Sequence, residues 1–188
     1  MNDLFPDFFN DSERKPHSKF ESLVDFWLSW TLRCSVESVK SLNEKIYNNS
    51  KKILSYFITK KQDIYSLDNK EVKDVYFNKY YKDIDLLVEV ELYNSDKKYI
   101  LVFENKVFSS LKDHQLDKYK EIIINDYNEK DYDIIYIFFR ANDKYFENDI
   151  EYCKKSNFLP VLITDLQNKN NNLEITGNDL FDTFWFKW

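Results

Sequence analysis

The fold of this chain is decided by residues 83–106, which read DIDLLVEVELYNSDKKYILVFENK. The segments 83–92 and 98–104 have the length of strands and are dominated by aliphatic residues, and the polar stretch 94–97 between them favours a turn. We therefore predict a β-hairpin over 83–104, in which two antiparallel strands pair directly.

The second strand of this hairpin ends in two charged residues. Glu104 and Lys106 follow a continuous apolar run, whereas four other acid-x-lysine pairs in the chain lie in polar sequence. Residues two apart in a strand share a face, so the carboxylate and the ammonium are expected to point the same way. Burying either charge is costly unless it is paired. Taken alone, the two residues are better explained as an exposed ion pair at a strand end, which contributes little to stability.

The first strand supplies a partner for the carboxylate. Asp85 is expected to lie beside Glu104 across the hairpin, and two facing carboxylates repel each other unless a cation lies between them. Oxygen ligands suit Mg²⁺ or Mn²⁺, and the backbone carbonyl of Asn105 is a further candidate ligand. Lys106 would orient or help to deprotonate an attacking water. Asp83 competes with Asp85 for this role, and the alternative for Asp85 is an exposed acid at a strand start.

Helical and strand-like periods alternate along the rest of the chain. Apolar residues recur at helical spacing from Ser18, a candidate N-cap, and again over 36–58, with a predicted break near 48–50. A helix between two strands allows a parallel crossover, so we predict an α/β fold with a central mixed sheet flanked by helices. The remaining predicted elements are strands at 71–77, 132–139 and 159–164 and helices at 111–127, 146–155 and 179–188.

Length and composition fit one domain. The 188 residues are 43% hydrophobic, and we predict a single domain with N-terminal helices at 18–58, a core at 71–164 and a C-terminal helix at 179–188. No apolar run is long enough to cross a membrane, and the first residues do not resemble a signal peptide, so a cytoplasmic location is expected. Cys34 and Cys153 are expected to be reduced, buried thiols.

The charge balance limits the possible partners. A formal net charge of −6 argues against a protein that simply coats nucleic acid. It does not exclude an enzyme that acts on nucleic acid, because an acidic metal site and a local basic patch are compatible with a negative total. The two histidines, His17 and His114, are isolated, which argues against a zinc site.

The order of the charged residues resembles a known family. Asp85, followed by Glu104-Asn105-Lys106 at the end of an apolar strand, resembles the PD-(D/E)XK nuclease superfamily. The resemblance covers roughly residues 18 to 140. It is carried by the order and placement of the motifs, because each motif is short.

Two flanking helices add to the resemblance. The helix after the strand carries Gln115 and Tyr119, a spacing similar to the Gln-x-x-x-Tyr motif of the RecB-like and lambda-exonuclease-like branches. The first helix carries Glu21, similar to the N-terminal acid of those branches. A half-buried helix face is an equal alternative for Gln115 and Tyr119. A capping box that begins at Ser18 is at least as good an explanation of Glu21.

The resemblance implies a restriction-endonuclease-like αβββαβ core and hydrolysis of phosphodiester bonds with Mg²⁺ or Mn²⁺, in DNA rather than RNA and in a bacterial or phage setting. The candidate residues are Asp85, Glu104 and Lys106 for catalysis, Asp85, Glu104, Asn105 and Glu21 for the metal, and Gln115 and Tyr119 for the substrate.

Two other functions are compatible with the sequence. A relative that no longer cuts would act as a binding or regulatory subunit, as the negative charge and Asp83 suggest. The aromatic residues near the C-terminus, at helical spacing, are expected to pack on their own domain, but exposed they would form a surface for a homodimer or a protein partner. These residues are Phe181, Phe184, Trp185 and Trp188.

Overall fold

A mixed sheet forms the centre of the computed structural model, which describes residues 19–62, 67, 71–93, 95, 96, 98–112, 114–144, 146–167 and 172–187. Its five strands lie side by side in chain order. The first three pair antiparallel, and the third pairs parallel with the fourth, as the fourth does with the fifth. The strands are β1 (Val72–Tyr81), β2 (Ile84–Leu92), β3 (Lys98–Lys106), β4 (Tyr132–Arg140) and β5 (Leu159–Leu162).

Helices flank the sheet within the described residues, and the two parallel pairings are each reached through a helical crossover. The predicted α/β fold with a central mixed sheet is confirmed, and so is the hairpin of β2 and β3. The helices are α1 (Lys19–Arg33), α2 (Glu37–Lys40), α3 (Glu44–Gln62), α4 (Gln115–Asp126), α5 (Phe146–Lys155), α6 (Ile163–Gln167) and α7 (Asp179–Lys187).

A tight turn joins β1 to β2 and sets their register. Tyr81 pairs with Ile84, so only Lys82 and Asp83 form the turn, and both have positive φ angles of 48° and 76°. Positive φ at both central residues is what a type I′ hairpin turn requires. Asp83 therefore lies in the turn, exposed and 2.8 Å from the Lys118 ammonium, and not in the strand. Asp85 is the acid that lies in β2.

The strands of the sheet present alternate residues to two separate cores. Leu101 and Phe103 of β3 pack into the larger core, which α1, α3 and α7 also line. Ile100 and Val102 point the other way, into the core that α4 and α5 cover. Continuing this alternation directs Asn105 toward α1, and Glu104 and Lys106 toward α4. The end of β3 therefore presents polar side chains to both layers.

Several predicted element bounds are corrected by the structure. The helix predicted over 36–58 is two helices that separate at residues 41–43, and α3 continues unbroken through 48–50 because Asn49 and Ser50 are buried in its packed face. The helix predicted from 111 begins at Gln115, and the last predicted strand ends at Leu162, because α6 begins at Ile163. The predicted cap Ser18 lies outside the described residues.

The aromatic stripe near the C-terminus packs on its own chain. Phe181, Phe184 and Trp185 are fully buried. The ring of Phe184 stacks on Trp27 of α1 at 5.6 Å between centroids, and the Trp185 indole donates to the Thr31 hydroxyl at 2.9 Å. These three rings are unavailable to a partner, so the predicted partner surface on α7 gains no support from them. Trp188 lies outside the described residues.

Both predicted thiols are found as expected. Cys34 and Cys153 are free and buried. Burial raises the pKa of Cys34 to about 11 and that of Cys153 to about 12, so both thiols are protonated near neutral pH.

Candidate active site

The register of the central hairpin brings two acids face to face. Leu86 pairs with Phe103, and continuing that register by one residue sets Asp85 opposite Glu104. Both side chains then point toward α4, because residues directly opposite in an antiparallel pair share a face. The backbone N–H of Asn105 donates to Asp85 Oδ2 at 3.0 Å and holds this carboxylate at the end of β3.

Glu104 is a buried acid with one free oxygen. Its exposed fraction is 0%, and its Oε1 accepts a short hydrogen bond from the Lys106 ammonium. Its Oε2 makes no hydrogen bond of good geometry among the described residues, although the side chains of Tyr119 and Asp85 both approach this carboxyl. Burial, and then the charge of Asp85, raise the pKa of Glu104 to about 7. A buried carboxylate oxygen without a well-formed hydrogen bond is unusual in a folded protein.

The pKa of Asp85 is also raised. Burial raises its pKa, and the nearby charge of Glu21 raises it further. The hydrogen bond from Asn105 and the charge of Lys106 offset this effect only in part. Two adjacent acids that both resist ionisation are stabilised together by a cation.

Lys106 is the cation of the site. Its exposed fraction is 6%. Burial disfavours its charge, but Glu104, Asp85 and Glu21 together outweigh burial, so its pKa is raised above the usual value. The ammonium also lies 3.5 Å from the backbone carbonyl of Asn105. The lysine is therefore protonated near neutral pH and paired with Glu104.

Helix α4 closes one side of the acid pair. Tyr119 is buried, and its pKa is raised by burial and then by the charges of Glu104 and Asp85, which places its hydroxyl close to both acids. Gln115 lies one turn earlier on the same helix face. Tyr119 Oη and Gln115 Oε1 are both buried and make no hydrogen bond of good geometry among the described residues, although the Tyr119 hydroxyl approaches both Glu104 and Gln115. A bound group with polar atoms would satisfy both.

Glu21 reaches the site from the first turn of α1. Its Oε1 accepts a hydrogen bond of 2.5 Å from the Ser109 hydroxyl. Its charge acts on the pKa of both Asp85 and Lys106, so it lies near the acid pair. The structure thus brings together the seven candidate residues, from β2, β3, α1 and α4.

Asn105 ties the site to the opposite layer. Its side-chain amide donates to the buried Asp25 carboxylate of α1 at 2.5 Å, while its backbone N–H holds Asp85. The residue between the acid and the lysine therefore links two carboxylates on opposite faces of the sheet. Its carbonyl remains a candidate ligand beside Lys106.

Sequence reasoning missed four residues around the site: Asp25, Ser109, Arg140 and Asp149. Arg140 was detectable, because it ends the apolar strand β4 as Lys106 ends β3, and the two are paired in register. Asp149 and Asp25 carry no comparable signal, because an acid in an amphipathic helix is normally on the solvent side. Both are buried here, at 5% and 2% exposure.

A protein-family model, that of the PD-(D/E)XK nuclease superfamily, matches residues 8–177. The chain belongs to the PD-(D/E)XK nuclease superfamily. The sheet and flanking helices are consistent with the restriction-endonuclease-like fold expected of that superfamily. No curated protein and no solved structure matches the chain with significance. Assignment to a branch with the Gln-x-x-x-Tyr motif stays a prediction.

Members of the PD-(D/E)XK superfamily typically use divalent metal ions. Within the described residues, no group of three or more His, Cys, Asp and Glu side chains is placed so that it could hold a metal ion. Asp85 and Glu104 nevertheless fit a hard cation, because they supply oxygen ligands and Glu104 Oε2 is unpartnered. A small cation such as Mg²⁺ keeps several waters and needs only one or two carboxylates.

None of the described helices combines the length and the apolar character that crossing a membrane requires.

Proposed function

We propose that the chain is a Mg²⁺- or Mn²⁺-dependent nuclease that hydrolyses phosphodiester bonds in DNA. The observation that carries this proposal is the buried acid pair of Asp85 and Glu104, with a free Glu104 oxygen and with Lys106 beside it. Membership of the superfamily supports a nucleic-acid substrate. The preference for DNA over RNA rests on the resemblance of the motifs.

The acids form the metal-holding part of the proposed site. Asp85 and Glu104 are its direct ligands, the carbonyl of Asn105 is a further oxygen, and Glu21 lies at its edge. A divalent cation bound there would supply Lewis-acid chemistry and a water of lowered pKa. The acid pair accepts this cation readily, because each carboxylate raises the free energy of the other's charged form.

Lys106 acts as a fixed positive charge in the proposed mechanism. Its raised pKa keeps it protonated near neutral pH, which favours a role in orienting a water and neutralising a phosphate oxygen over a role as general base. Its tether to Glu104 limits its movement. The ammonium is therefore preorganised for the charge that develops on the phosphate.

Helix α4 provides the substrate side. Gln115 and Tyr119 lie one turn apart, with unpartnered polar atoms next to the acid pair. The Tyr119 hydroxyl stays protonated, because its pKa is raised, and it can donate a hydrogen bond to a phosphate oxygen. We propose that these two residues orient the scissile phosphate.

Cleavage assays on matched variants test the proposal. Plasmid, single-stranded DNA and RNA are incubated with the wild-type chain and Mg²⁺, Mn²⁺ or EDTA. We expect metal-dependent cleavage of DNA that falls at least about 100-fold on Glu104→Ala or Lys106→Ala, because each loses a group that acts on the transition state. Glu89→Gln is the matched control. Glu89 lies four residues from Asp85 on the same face of β2 and pairs with Lys98 at 2.7 Å, so its loss leaves cleavage unchanged.

Unchanged cleavage by both site variants would contradict the site assignment. An alternative function, a catalytically inactive binding or regulatory subunit, is favoured by one observation: Lys106 is engaged with Glu104 rather than free. This alternative predicts binding of nucleic acid or protein without cleavage under any metal condition. Cleavage by the wild-type chain that the site variants lose excludes it.

A further inference from the structure

The segment that follows the candidate lysine is held by a buried arginine. Arg140, at the end of β4, has an exposed fraction of 0%. Its Nη1 and Nη2 both donate to the backbone carbonyl of Ser109, at 2.8 and 2.9 Å, and its Nε donates to the carbonyl of Lys144 at 2.7 Å. The guanidinium thus clamps residues 107–112, the connection between β3 and α4, against the end of β4.

Two neighbouring side chains extend the clamp along the same connection. The Asn142 amide donates to the carbonyl of Val107, and the Asp149 carboxylate of α5 accepts a hydrogen bond from the backbone N–H of Leu111. Arg140 Nη1 lies 3.6 Å from Asp149 Oδ2, so the two clamping charges compensate each other. The connection is therefore anchored at three alternate residues, Val107, Ser109 and Leu111.

The clamp connects to the candidate site through Ser109. The carbonyl of Ser109 is fixed by Arg140, and its hydroxyl donates to Glu21 at 2.5 Å. Glu21 in turn acts electrostatically on Asp85 and Lys106. A continuous series of contacts therefore leads from the end of β4, through one serine, to the acid at the edge of the candidate metal site.

The chemistry of the clamp explains why an arginine is present. A planar guanidinium directs two N–H groups at one carbonyl, which neither a lysine nor an apolar side chain can do. A buried ion pair such as Arg140–Asp149 is weak evidence for a stabilising role, because well-packed apolar residues are often at least as stabilising. Arg140 also lies opposite Lys106 in the parallel pairing of β3 and β4, so the clamp is located at the strand end that carries the lysine.

We propose that Arg140 is a positioning residue, which acts through Ser109 to hold Glu21 at the metal site formed by Asp85 and Glu104. This inference rests on the proposed function, because it assumes that a divalent cation binds at the acid pair. The guanidinium of Arg140 binds the carbonyls of Ser109 and Lys144 and lies beside Asp149. Residues that orient metal ligands from outside typically change metal affinity by 10- to 100-fold.

Mn²⁺ affinity, measured by calorimetric titration, tests the proposed chain of contacts. Glu21→Gln, Ser109→Ala and Arg140→Met are each expected to weaken Mn²⁺ binding about 10-fold. Because the three residues act in series, combining Glu21→Gln with Arg140→Met is expected to weaken binding no more than the stronger single change does. Ser109 is exposed, so Ser109→Ala keeps the test available if Arg140→Met does not fold.

Asn49→Ala provides a control for a merely structural effect. Asn49 is equally buried, and its amide clamps the backbone of Glu174 through two hydrogen bonds, of 2.7 and 3.1 Å, in another part of the chain. We expect this variant to lose stability and to keep the wild-type Mn²⁺ affinity. Loss of Mn²⁺ affinity in this control equal to that in Arg140→Met would overturn the inference.

The outcomes separate this inference from the proposed function. A wild-type chain that neither binds Mn²⁺ nor cleaves DNA contradicts the proposed function itself. A wild-type chain that binds Mn²⁺ while the effects of Arg140→Met and Glu21→Gln multiply contradicts only the inference, and so does unchanged affinity in Ser109→Ala.

Discussion

Glu104 is the residue on which the site depends. It is buried, tied to Lys106 on one oxygen and unpartnered on the other, and it faces Asp85. Its raised pKa follows from burial and from that neighbouring charge. Glu104 and Lys106 do form an ion pair, but both side chains are buried, so the exposed ion pair considered for them is not what the structure contains.

The coupling of the two acids gives a prediction for the metal-free chain. Asp85→Asn removes a negative charge beside Glu104, so the ionised form of Glu104 becomes easier to reach and its pKa is expected to fall below about 7. The measurement is a ¹³C NMR titration of the glutamate side-chain carboxyls in EDTA. Glu89→Gln, at the far end of the same strand face, is expected to leave the Glu104 titration unchanged. A Glu104 pKa that stays at about 7 or rises in Asp85→Asn contradicts the facing arrangement.

At the scale of elements, strand ends and turns decide where the chemistry lies. The hairpin of β2 and β3 was predictable, because apolar strands flank a polar turn. The bounds of α4 were not, because Leu111 continues the helical period although residues 107–112 form the clamped connection. The break between α2 and α3 was placed too late, since Asn48 to Ser50 look like a turn in sequence but form part of a packed helix. In both places tertiary packing overrides local propensity.

The turn between β1 and β2 gives a prediction at this scale. Asp83 has a positive φ, which an L-residue with a side chain adopts at a cost, and glycine removes that cost. Asp83→Gly is expected to raise the free energy of unfolding, measured with urea, by up to about 1 kcal/mol. Asp83→Asn, which removes only the exposed ion pair with Lys118, is expected to change it by less than about 0.5 kcal/mol.

The same two variants separate the roles of the neighbouring acids. Both are expected to keep the wild-type Mn²⁺ affinity, because Asp83 lies in the turn and Asp85 lies opposite Glu104. Weaker Mn²⁺ binding in Asp83→Asn would indicate that Asp83, and not Asp85 alone, is a metal ligand. A lower free energy of unfolding in Asp83→Gly than in the wild-type chain would contradict the strained turn.

At the scale of the whole molecule, more of the fold than of the candidate site could be predicted from the sequence. The hydrophobic periods and the order of the elements were enough to predict an α/β fold with a mixed sheet. The aromatic stripe of α7 packs on its own chain, which was the simpler of the two expectations for it. The identities of the acids and the lysine were accessible because they end or face apolar strands. The clamp of Arg140 and Asp149 was not, because it depends on contacts between segments distant in sequence.

The acid pair also affects the stability of the whole chain. A carboxyl whose pKa is raised on folding contributes stability that is present below its unfolded pKa of about 4.5 and is lost as the pH rises through about 7. Without a metal ion, Glu104 therefore contributes least to the stability of the folded chain above about pH 7. A cation bound between the acids removes this disadvantage and links Mn²⁺ to the free energy of unfolding.

The most direct test of the central claim, that a cation lies between Asp85 and Glu104, is urea unfolding at pH 7.5 with and without Mn²⁺. For the wild-type chain, Mn²⁺ at 100 times its dissociation constant is expected to raise the free energy of unfolding by about 2.7 kcal/mol. Asp85→Asn is expected to lose most of this gain at the same Mn²⁺ concentration. No gain in the wild-type chain, or an equal gain in Asp85→Asn, would contradict the claim.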